Sequence, residues 1–176
     1  MQGKGLRAQG IVAALLLFAA TVAAVAETID RVLAVVAGQL IMLSDVNAVR
    51  DLGIVNARVD STDPTGEVLA RLIDRELMLA EVDRYAPPEP DQAAIDRDVA
   101  VVRDRFPTEK GFNDVLTRSG YDLTHVREIV RQNLRLRAYL DQRFATTDDQ
   151  QRRQTMIDDW LAGLRRRTPA INMYSK

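Results

Sequence analysis

The sequence predicts a mostly helical fold with a small antiparallel β element. Two apolar, β-branched segments flank Gly38 and predict a hairpin, and apolar residues recur at helical spacing through most of the chain after it. Residues 171–174 alternate as a strand would and need a β partner, because an isolated strand leaves its backbone groups unpaired. We therefore predict that the N-terminal hairpin and the C-terminal strand form one small sheet.

Residues 1–26 have the pattern of a signal peptide. Lys4 and Arg7 precede an uncharged apolar stretch, and small residues at positions 24 and 26 suit cleavage after Ala26. The stretch is shorter than the roughly 20 residues that a spanning helix needs. We expect export to the periplasm and cleavage. An uncleaved anchor is the alternative, and only then do we expect membrane contact.

Composition excludes several classes of function. Without residues 1–26 the chain has 150 residues, enough for one domain, with 22 basic and 25 acidic side chains. This balance does not indicate nucleic acid, which requires a basic face. There is no cysteine and one histidine, His125, so neither a Cys/His zinc site nor a Cys/His nucleophile can be built. No phosphate-binding G-x-x-x-x-G-K-[ST] motif is present, and we expect no cofactor and no catalytic residue.

The predicted hairpin comprises residues 32–37 and 40–43, with a break at Gly38 and Gln39. Val and Ile suit a pleated surface, and Gly38 supplies the backbone freedom of a tight turn. Apolar strands of this kind, taken on their own, are typical of one corner of a core.

The first helix is predicted at about 45–52, directly after the hairpin. We expect the Ser44 hydroxyl to cap it, and only partially, because Asn47 stands where a capping box needs Glu or Gln. Residues 56–65 contain Asp60, Ser61, Asp63 and Pro64 and few apolar side chains, which predicts a loop.

The most hydrophobic helix of the mature chain is predicted at 66–85 and is expected to be central. Its apolar positions follow a 3.6-residue period: Val68, Leu69, Leu72, Ile73, Leu77, Leu79 and Ala80. Prolines at 87, 88 and 90 end it, and we place Pro90 in the first turn of the next helix. A prolyl recognition motif is the alternative for this segment.

Two helices are predicted before residue 120. The first carries an apolar stripe made of Ile95, Val99, Val102 and Phe106. The second is short, at about 111–118, with Phe112, Val115 and Leu116 facing inward, and it ends at Ser119 and Gly120.

Two helices are predicted after residue 120. Asp122 is expected to cap a long helix with apolar positions at helical spacing: Val126, Ile129, Val130, Leu134, Leu140 and Phe144. After a polar break at 145–149, the last helix has one narrow apolar face: Met156, Ile157, Trp160, Leu161 and Leu164. Thr168 and Pro169 stop it. We expect Trp160 to be buried and to tie this helix to the sheet.

Four segments that follow the predicted signal peptide resemble, in sequence and in order, the core of SurA-type periplasmic chaperones, the SurA N-terminal domain family. They are the opening hairpin AVVAGQLIMLSDV, the long helix LARLIDRELMLAE, the late helix YDLTHVREIVRQNLRLRAYL and the closing DDWLAGLRRRTPAINMYS. The resemblance implies a helical chaperone core for outer-membrane proteins.

One departure from that family concerns its enzymatic part. The family inserts one or two parvulin-type prolyl isomerase domains at a position corresponding to about 144–149. Only 32 residues follow Phe144, and a domain commonly needs about 50 or more. We therefore expect one SurA-like core domain at 27–176 without isomerase activity: 27–144, a linker at 145–149, and a closing helix and strand at 150–176.

The candidate peptide-binding residues are apolar or aromatic and lie at element ends or off the main helical stripes: Met42, Phe106, Phe112, Tyr121 and Tyr139. Exposed apolar patches rimmed by Arg and Asp would suit weak, adaptable capture of unfolded segments. Membership of the core is the alternative for each residue.

Three charged features have a functional and a structural interpretation. His125 is either a pH switch or a residue of a helix cap. The pairs 148–149 and 158–159 resemble acid–base carboxylates, but adjacent helical positions do not face each other, which favours solvated or N-terminal roles. The arginines 165–167 either bind phosphate or lipid headgroups or complement the helix dipole.

The signal-peptide pattern, the candidate apolar residues and the resemblance to the SurA-type core together imply an ATP-independent holdase. We expect it to bind unfolded outer-membrane protein precursors or other exported polypeptides. The outer-membrane assembly machinery is a further candidate partner. The alternative is an interaction or scaffold subunit that binds one fixed folded periplasmic partner. Promiscuous weak binding to many unfolded clients would separate the first function from the second.

Overall fold

The computed structural model describes residues 30–55, 58, 61–145 and 149–175. The predicted signal peptide, part of the predicted loop at 56–65 and part of the predicted linker at 145–149 lie outside the described residues. The described elements are β1 Val32–Val36, β2 Gln39–Met42, α1 Leu43–Asp51, α2 Pro64–Tyr85, α3 Gln92–Arg103, α4 Glu109–Ser119, α5 Leu123–Arg143, α6 Gln150–Arg167 and β3 Ile171–Asn172. The predicted fold class, mostly helical with a small antiparallel sheet, is confirmed.

The hairpin closes through a two-residue turn, Ala37 and Gly38. Both have positive φ angles, +49° and +86°. This backbone matches the right-handed twist of the flanking strands, which is why such turns are preferred in two-residue hairpins. The turn is one residue earlier than the predicted break, because Gln39 already pairs with Val36.

The sheet joins the two ends of the described chain, as predicted. Its strand order is β2-β1-β3, and both pairings are antiparallel. Val35 lies opposite Ile171, and the Met173 N–H donates to the Leu33 carbonyl at 2.9 Å. The central strand β1 is therefore paired on both edges, whereas β2 and β3 each have one open edge.

The start of α1 differs from the prediction. The helix begins at Leu43, so Ser44 lies inside the first turn and does not cap it. The Ser44 hydroxyl and backbone N–H donate instead to the Asp30 carboxylate. Met42 holds the capping position, and the carboxylate of Asp45, the third residue of the helix, accepts from the Met42 N–H at 2.7 Å.

The central helix α2 begins two residues earlier than predicted. The Asp63 carboxylate accepts from the Gly66 N–H at 3.0 Å, and Pro64 occupies the first helical position, where its missing N–H costs nothing. Ala86 ends the helix with a φ of +41°. Pro90 does not enter the first turn of α3, because Asp91 is the residue that caps it.

The caps around residue 120 are confirmed. Gly120 ends α4 with a φ of +69°, and the Asp122 carboxylate accepts from the His125 N–H at 2.9 Å. Thr108 caps α4, which begins at Glu109, two residues before the predicted start. Among the described residues, no helix is both long and apolar enough to cross a bilayer.

Two apolar clusters make up the core. The sheet cluster lies between the strands, α1, α2 and α6, and its buried members are Leu33, Ala34, Val36, Ile41, Val46, Val49, Val68, Leu69, Leu72, Leu77 and Leu164. The helical cluster lies between α3, α4, α5 and the end of α1, and its buried members are Leu52, Ile95, Val99, Val102, Phe112, Val115, Leu116, Val126 and Val130. Ile54 packs against both clusters, so α1 and the residues after it join the two halves.

Trp160 is only partly buried, which differs from the prediction. It packs against the sheet cluster, but its ring also lies 5.8 Å from that of Tyr139 and 5.9 Å from that of Phe144. The Arg143 guanidinium lies 5.5 Å from its ring centre. Trp160 therefore ties α6 to the C-terminal end of α5 as well as to the sheet cluster.

Candidate functional site

A groove with a volume of about 570 Å³ lies between β2, α1, α2 and α5. This volume is within the range of about 300–1,000 Å³ that is typical of ligand sites. The lining residues come from segments far apart in the sequence: Gln39, Leu40, Ile41, Asp45, Val49, Ile54, Val55, Leu72, Arg75, Glu76, Tyr121, His125, Glu128, Ile129, Gln132 and Asn133. Apolar side chains and amide or charged side chains therefore share one concave surface.

The strand β2 forms one wall of the groove with its open edge. Its residues alternate, so that Ile41 is buried in the sheet cluster while Leu40 is 57% exposed. β1 covers only the other edge of β2, and no further strand borders β2 within the described part of the chain. An exposed strand edge of this kind presents unpaired backbone groups.

Arg75 organises the opposite wall. Its guanidinium donates to the Asn133 side chain at 3.0 Å, to Glu76 at 2.7 Å and to the Gln132 side chain at 2.8 Å. These bonds fix α2 against α5 and hold both amide groups beside the groove. Arg75 has five N–H donors, so this arrangement leaves two of them for other acceptors.

Asp45 and Tyr121 form a link at the α1 side of the groove. The Tyr121 hydroxyl donates to the Asp45 carboxylate at 2.7 Å, and the other oxygen of that carboxylate accepts from the Met42 N–H. Burial, followed by this bond to Asp45, raises the pKa of the Tyr121 phenol well above its usual range. Tyr121 therefore remains a protonated donor at any physiological pH and anchors the residues before α5 to α1.

The two glutamates of the groove differ in their pKa shifts. Burial raises the pKa of Glu76 above its usual value, and the neighbouring Arg75 opposes this effect. Glu128 has a lowered pKa, because Arg131 donates two hydrogen bonds to it. The more buried carboxylate therefore resists ionisation, whereas the more exposed one favours it.

A smaller cavity of about 220 Å³ continues the groove toward the hairpin turn. It shares Gln39, Glu76 and Gln132 with the larger one. At its far end Arg135 donates to Asp83 at 2.9 Å. The groove thus follows the open edge of β2 from the start of α1 to the turn at Ala37.

The structure brings only Tyr121 of the five candidate residues to the groove. Met42 is partly buried at the junction of β2 and α1, and Phe106 is partly buried beside the helical cluster. The remaining two are in the core, since Phe112 is 2% exposed and Tyr139 is 5% exposed. Neither presents an accessible surface for a peptide: Phe112 points inward, as its helical position predicted, and for Tyr139 the alternative, membership of the core, holds.

Contacts with other aromatic rings account for the burial of these two residues. The Phe112 ring lies 5.5 Å from that of Phe106, on the inner face of α4. The Tyr139 ring lies 5.4 Å from that of Tyr85 and also contacts Trp160. These aromatic pairs fill gaps between helices and so act as core residues.

The structure explains the charged features in structural terms where it describes them. His125 lies in the cap of α5, where its Nδ1 is 2.7 Å from the Asp122 carboxylate, and its ring stacks on Tyr121. Asp149 caps α6, whereas Asp148 lies outside the described residues. Arg165 makes two hydrogen bonds to Asp74, at 2.8 and 2.6 Å. Asp158 accepts from Gln154 on the same helix.

Four residues that make the groove were not predicted from the sequence: Leu40, Arg75, Gln132 and Asn133. An available signal was the strand alternation, which places Leu40 opposite to the buried Ile41. The bonds of Arg75 to α5 join residues 57 and 58 positions apart and leave no local pattern. No group of His, Cys, Asp or Glu side chains suited to a metal ion occurs among the described residues.

Comparison with known proteins adds no relative: no family model matches the chain, and no curated protein matches it. The resemblance to the SurA-type core therefore stays a prediction.

Proposed function

We propose that this chain is an ATP-independent periplasmic holdase. It binds unfolded exported polypeptides, outer-membrane protein precursors among them, and it acts without a covalent step and without prolyl isomerisation. Cleavage after Ala26 would release the domain into the periplasm. The proposal combines the signal-peptide pattern and the family resemblance with one structural observation.

That observation is the groove beside β2. It combines apolar side chains, such as Ile129 and Leu72, with the amide groups of Gln39, Gln132 and Asn133. Apolar side chains reward burial of a client's apolar residues without demanding one shape. Amide side chains offer both a donor and an acceptor, which match the groups of any peptide bond. Such a surface suits weak binding to many sequences.

The test is suppression of aggregation by residues 27–176 without nucleotide. An outer-membrane β-barrel protein is diluted from urea, and light scattering is followed with and without a modest molar excess of the domain. We expect a delayed rise in scattering, because reversible binding lowers the free concentration of the aggregating chain. Unchanged scattering with the wild-type domain present would overturn the holdase function.

A pair of matched variants assigns the activity to the groove. Leu40 lines the groove and is 57% exposed, whereas Val101 is 55% exposed on α3 and does not line it. We expect Leu40→Ser to weaken protection and Val101→Ser to leave it unchanged, with both melting temperatures near that of the wild type. Equal effects of the two variants would place the activity elsewhere.

The scaffold function makes a different prediction in the same preparations. It requires that one folded periplasmic protein co-purifies tightly and that unfolded chains are not protected. That combination of results would replace the holdase proposal.

A further inference from the structure

We propose that the open edge of β2 is a strand-addition site for an extended polypeptide segment that carries a Lys or Arg side chain. The segment pairs its main chain with Leu40, and its basic side chain reaches the carboxylate of Asp45. This inference rests on the proposed function, since it specifies how an unfolded client is held in the groove.

The pairing of the hairpin shows which backbone groups are free. Val36 pairs with Gln39 beside the two-residue turn, and Ala34 pairs with Ile41. In an antiparallel ladder, hydrogen-bonded pairs alternate with pairs whose N–H and C=O groups point away from each other. Leu40, which lies opposite Val35 between those two pairs, therefore directs its N–H and C=O toward the groove.

The site has a defined end. Beyond Leu40, the next outward N–H belongs to Met42, and the Asp45 carboxylate already accepts from it at 2.7 Å. A bound strand therefore pairs with one residue of β2 and stops where α1 begins. Two main-chain hydrogen bonds at Leu40 are the expected contribution, and the wall formed by Gln132 and Asn133 provides amide groups on the other side of the segment.

The charges that line the groove favour a basic side chain on the bound segment. The larger part of the groove is lined by three carboxylates, those of Asp45, Glu76 and Glu128, and by one guanidinium, that of Arg75. Glu76 pairs with Arg75, and Glu128 pairs with Arg131. Asp45 accepts hydrogen bonds only from the neutral Met42 N–H and Tyr121 hydroxyl, and it has no cationic partner within the described residues. A Lys or Arg of the client would supply that partner, whereas an acidic residue would be repelled.

The main-chain part is tested with fluorescent eight-residue peptides of alternating Val and Thr with one central Lys. A second peptide has the same side chains and N-methyl groups on its four central residues, which removes the main-chain donors. Binding to residues 27–176 is measured by anisotropy. N-methylation removes the hydrogen bond that the peptide donates to the Leu40 carbonyl, and we therefore expect it to weaken binding by roughly two- to tenfold. Equal affinity of the two peptides would overturn strand addition.

Two further measurements locate the pairing at Leu40. Peptide binding should slow amide hydrogen exchange at Leu40, whose N–H donates to no other described residue in the unbound chain. Leu40→Pro removes that N–H without removing a bond to β1, and proline is tolerated on such an edge. Leu40→Ala is the control, because it shortens the side chain and keeps the N–H. Unchanged exchange at Leu40 in the wild-type complex would overturn the assignment, even if the proline variant fails to fold.

The charge part is tested by replacing the central Lys of the peptide with Glu. We expect the Lys peptide to bind more tightly, by about two- to fivefold for a partly exposed ion pair, and Asp45→Asn to reduce that preference. Equal binding of both peptides would remove the charge assignment.

The outcomes separate this inference from the proposed function. Suppressed aggregation together with equal binding of the methylated peptide would leave a holdase that uses another binding mode. A concentration-dependent dimer that peptides do not displace would place a second copy on the β2 edge and overturn the inference. Loss of both peptide binding and aggregation suppression would overturn the inference and the function together.

Discussion

Glu76 couples the charge of the groove to the stability of the domain. Burial is the main reason for its raised pKa, and the nearby carboxylates of Asp45 and Asp83 act in the same direction. Arg75 lowers the pKa through its ion pair at 2.7 Å, but this effect is smaller. The folded state therefore binds a proton at Glu76 more readily than the unfolded state does.

This shift predicts the pH dependence of a Glu76→Gln variant. A raised pKa in the folded state gives stability that is complete below the ordinary value of 4.5 and is lost as the pH rises through the folded pKa. The free energy of unfolding of the wild type, minus that of Glu76→Gln, should therefore fall between pH 4.5 and neutrality. Urea unfolding at several pH values measures this difference, in which the other titrating groups cancel.

Glu128→Gln is the matched control for that experiment. The hydrogen bonds from Arg131 lower the pKa of Glu128, so its contribution is present above pH 4.5 and is lost as the pH falls through the folded pKa. Its difference from the wild type should be flat where that of Glu76→Gln changes. If both variants gave flat differences between pH 4.5 and 7, Glu76 would not be shifted as described.

Some single-residue roles were predictable from the sequence and others were not. Asp122 and Gly120 are recognisable because a cap depends on its immediate neighbours. Ser44 was predicted wrongly, because Asp30, 14 positions earlier, competes for its hydroxyl. A local rule cannot include a partner that only the folded hairpin brings near.

Among the elements, β3 is small but connects several parts of the molecule. Its two residues pair with β1, and Ile171 is 63% exposed. Tyr174 follows two residues after the end of β3, and its hydroxyl donates at 2.9 Å to Asp63, the cap of α2. The C-terminal segment therefore contributes through Tyr174 and through covering the edge of β1, more than through burial of its own strand.

Deletion of residues 169–176 is expected to destabilise the domain and to promote association. The deletion exposes an edge of β1, which is a template for pairing with another chain. It also removes Ala170 and Tyr174, which pack against the sheet cluster. Urea unfolding and size-exclusion chromatography measure the two effects.

Tyr174→Phe is the control for the deletion, because it removes only the hydroxyl that bonds to Asp63. It should lower the free energy of unfolding far less than the deletion does and leave the chain in the same oligomeric state. A deleted chain that is as stable as the wild type and elutes identically would contradict the role given to the C-terminal segment.

Substitutions of Trp160 test how strongly α6 is held to the rest of the domain. Its indole N–H is buried and has no hydrogen-bond partner among the described residues. Trp160→Ala should cost about 3 kcal/mol, because the ring contacts with Tyr139 and Phe144 are lost. Trp160→Phe should cost far less, since it keeps an aromatic ring and removes the unsatisfied donor. Comparable losses in the two variants, measured by urea unfolding, would be inconsistent with this account.

At the scale of the whole molecule, the sequence predicted the elements and the meeting of the chain ends better than the site. Helices and strands follow from periodicity and caps, which are local. The groove instead depends on the gap between β2 and α5, whose lining residues extend from position 39 to position 133. The burial of Tyr139 depends on such contacts as well, because its aromatic partners, Tyr85 and Trp160, lie on other helices. Contacts between distant segments determine which apolar residues remain exposed.

The same long-range contacts determine whether the domain unfolds as one unit. The sheet cluster and the helical cluster meet at the C-terminal end of α1: Val46 and Val49 belong to the first, and Leu52, the residue directly after α1, belongs to the second. Ile54 packs against both, and Arg105 donates to the carbonyls of Leu52 and Gly53. The chain has no cysteine, so no disulfide can hold either half separately.

This architecture predicts that damage to one cluster is detected in the other. Leu52 is fully buried in the helical cluster, and Leu52→Ala should lower the free energy of unfolding by about 3 kcal/mol. The only tryptophan, Trp160, packs against the sheet cluster and reports on it by fluorescence. Because α1 joins the clusters, the fluorescence and far-ultraviolet circular dichroism midpoints in urea should shift together. A fluorescence midpoint that stays at the wild-type value, together with a biphasic dichroism curve, would mean that the two clusters unfold independently. The groove would then be bordered by parts of unequal stability.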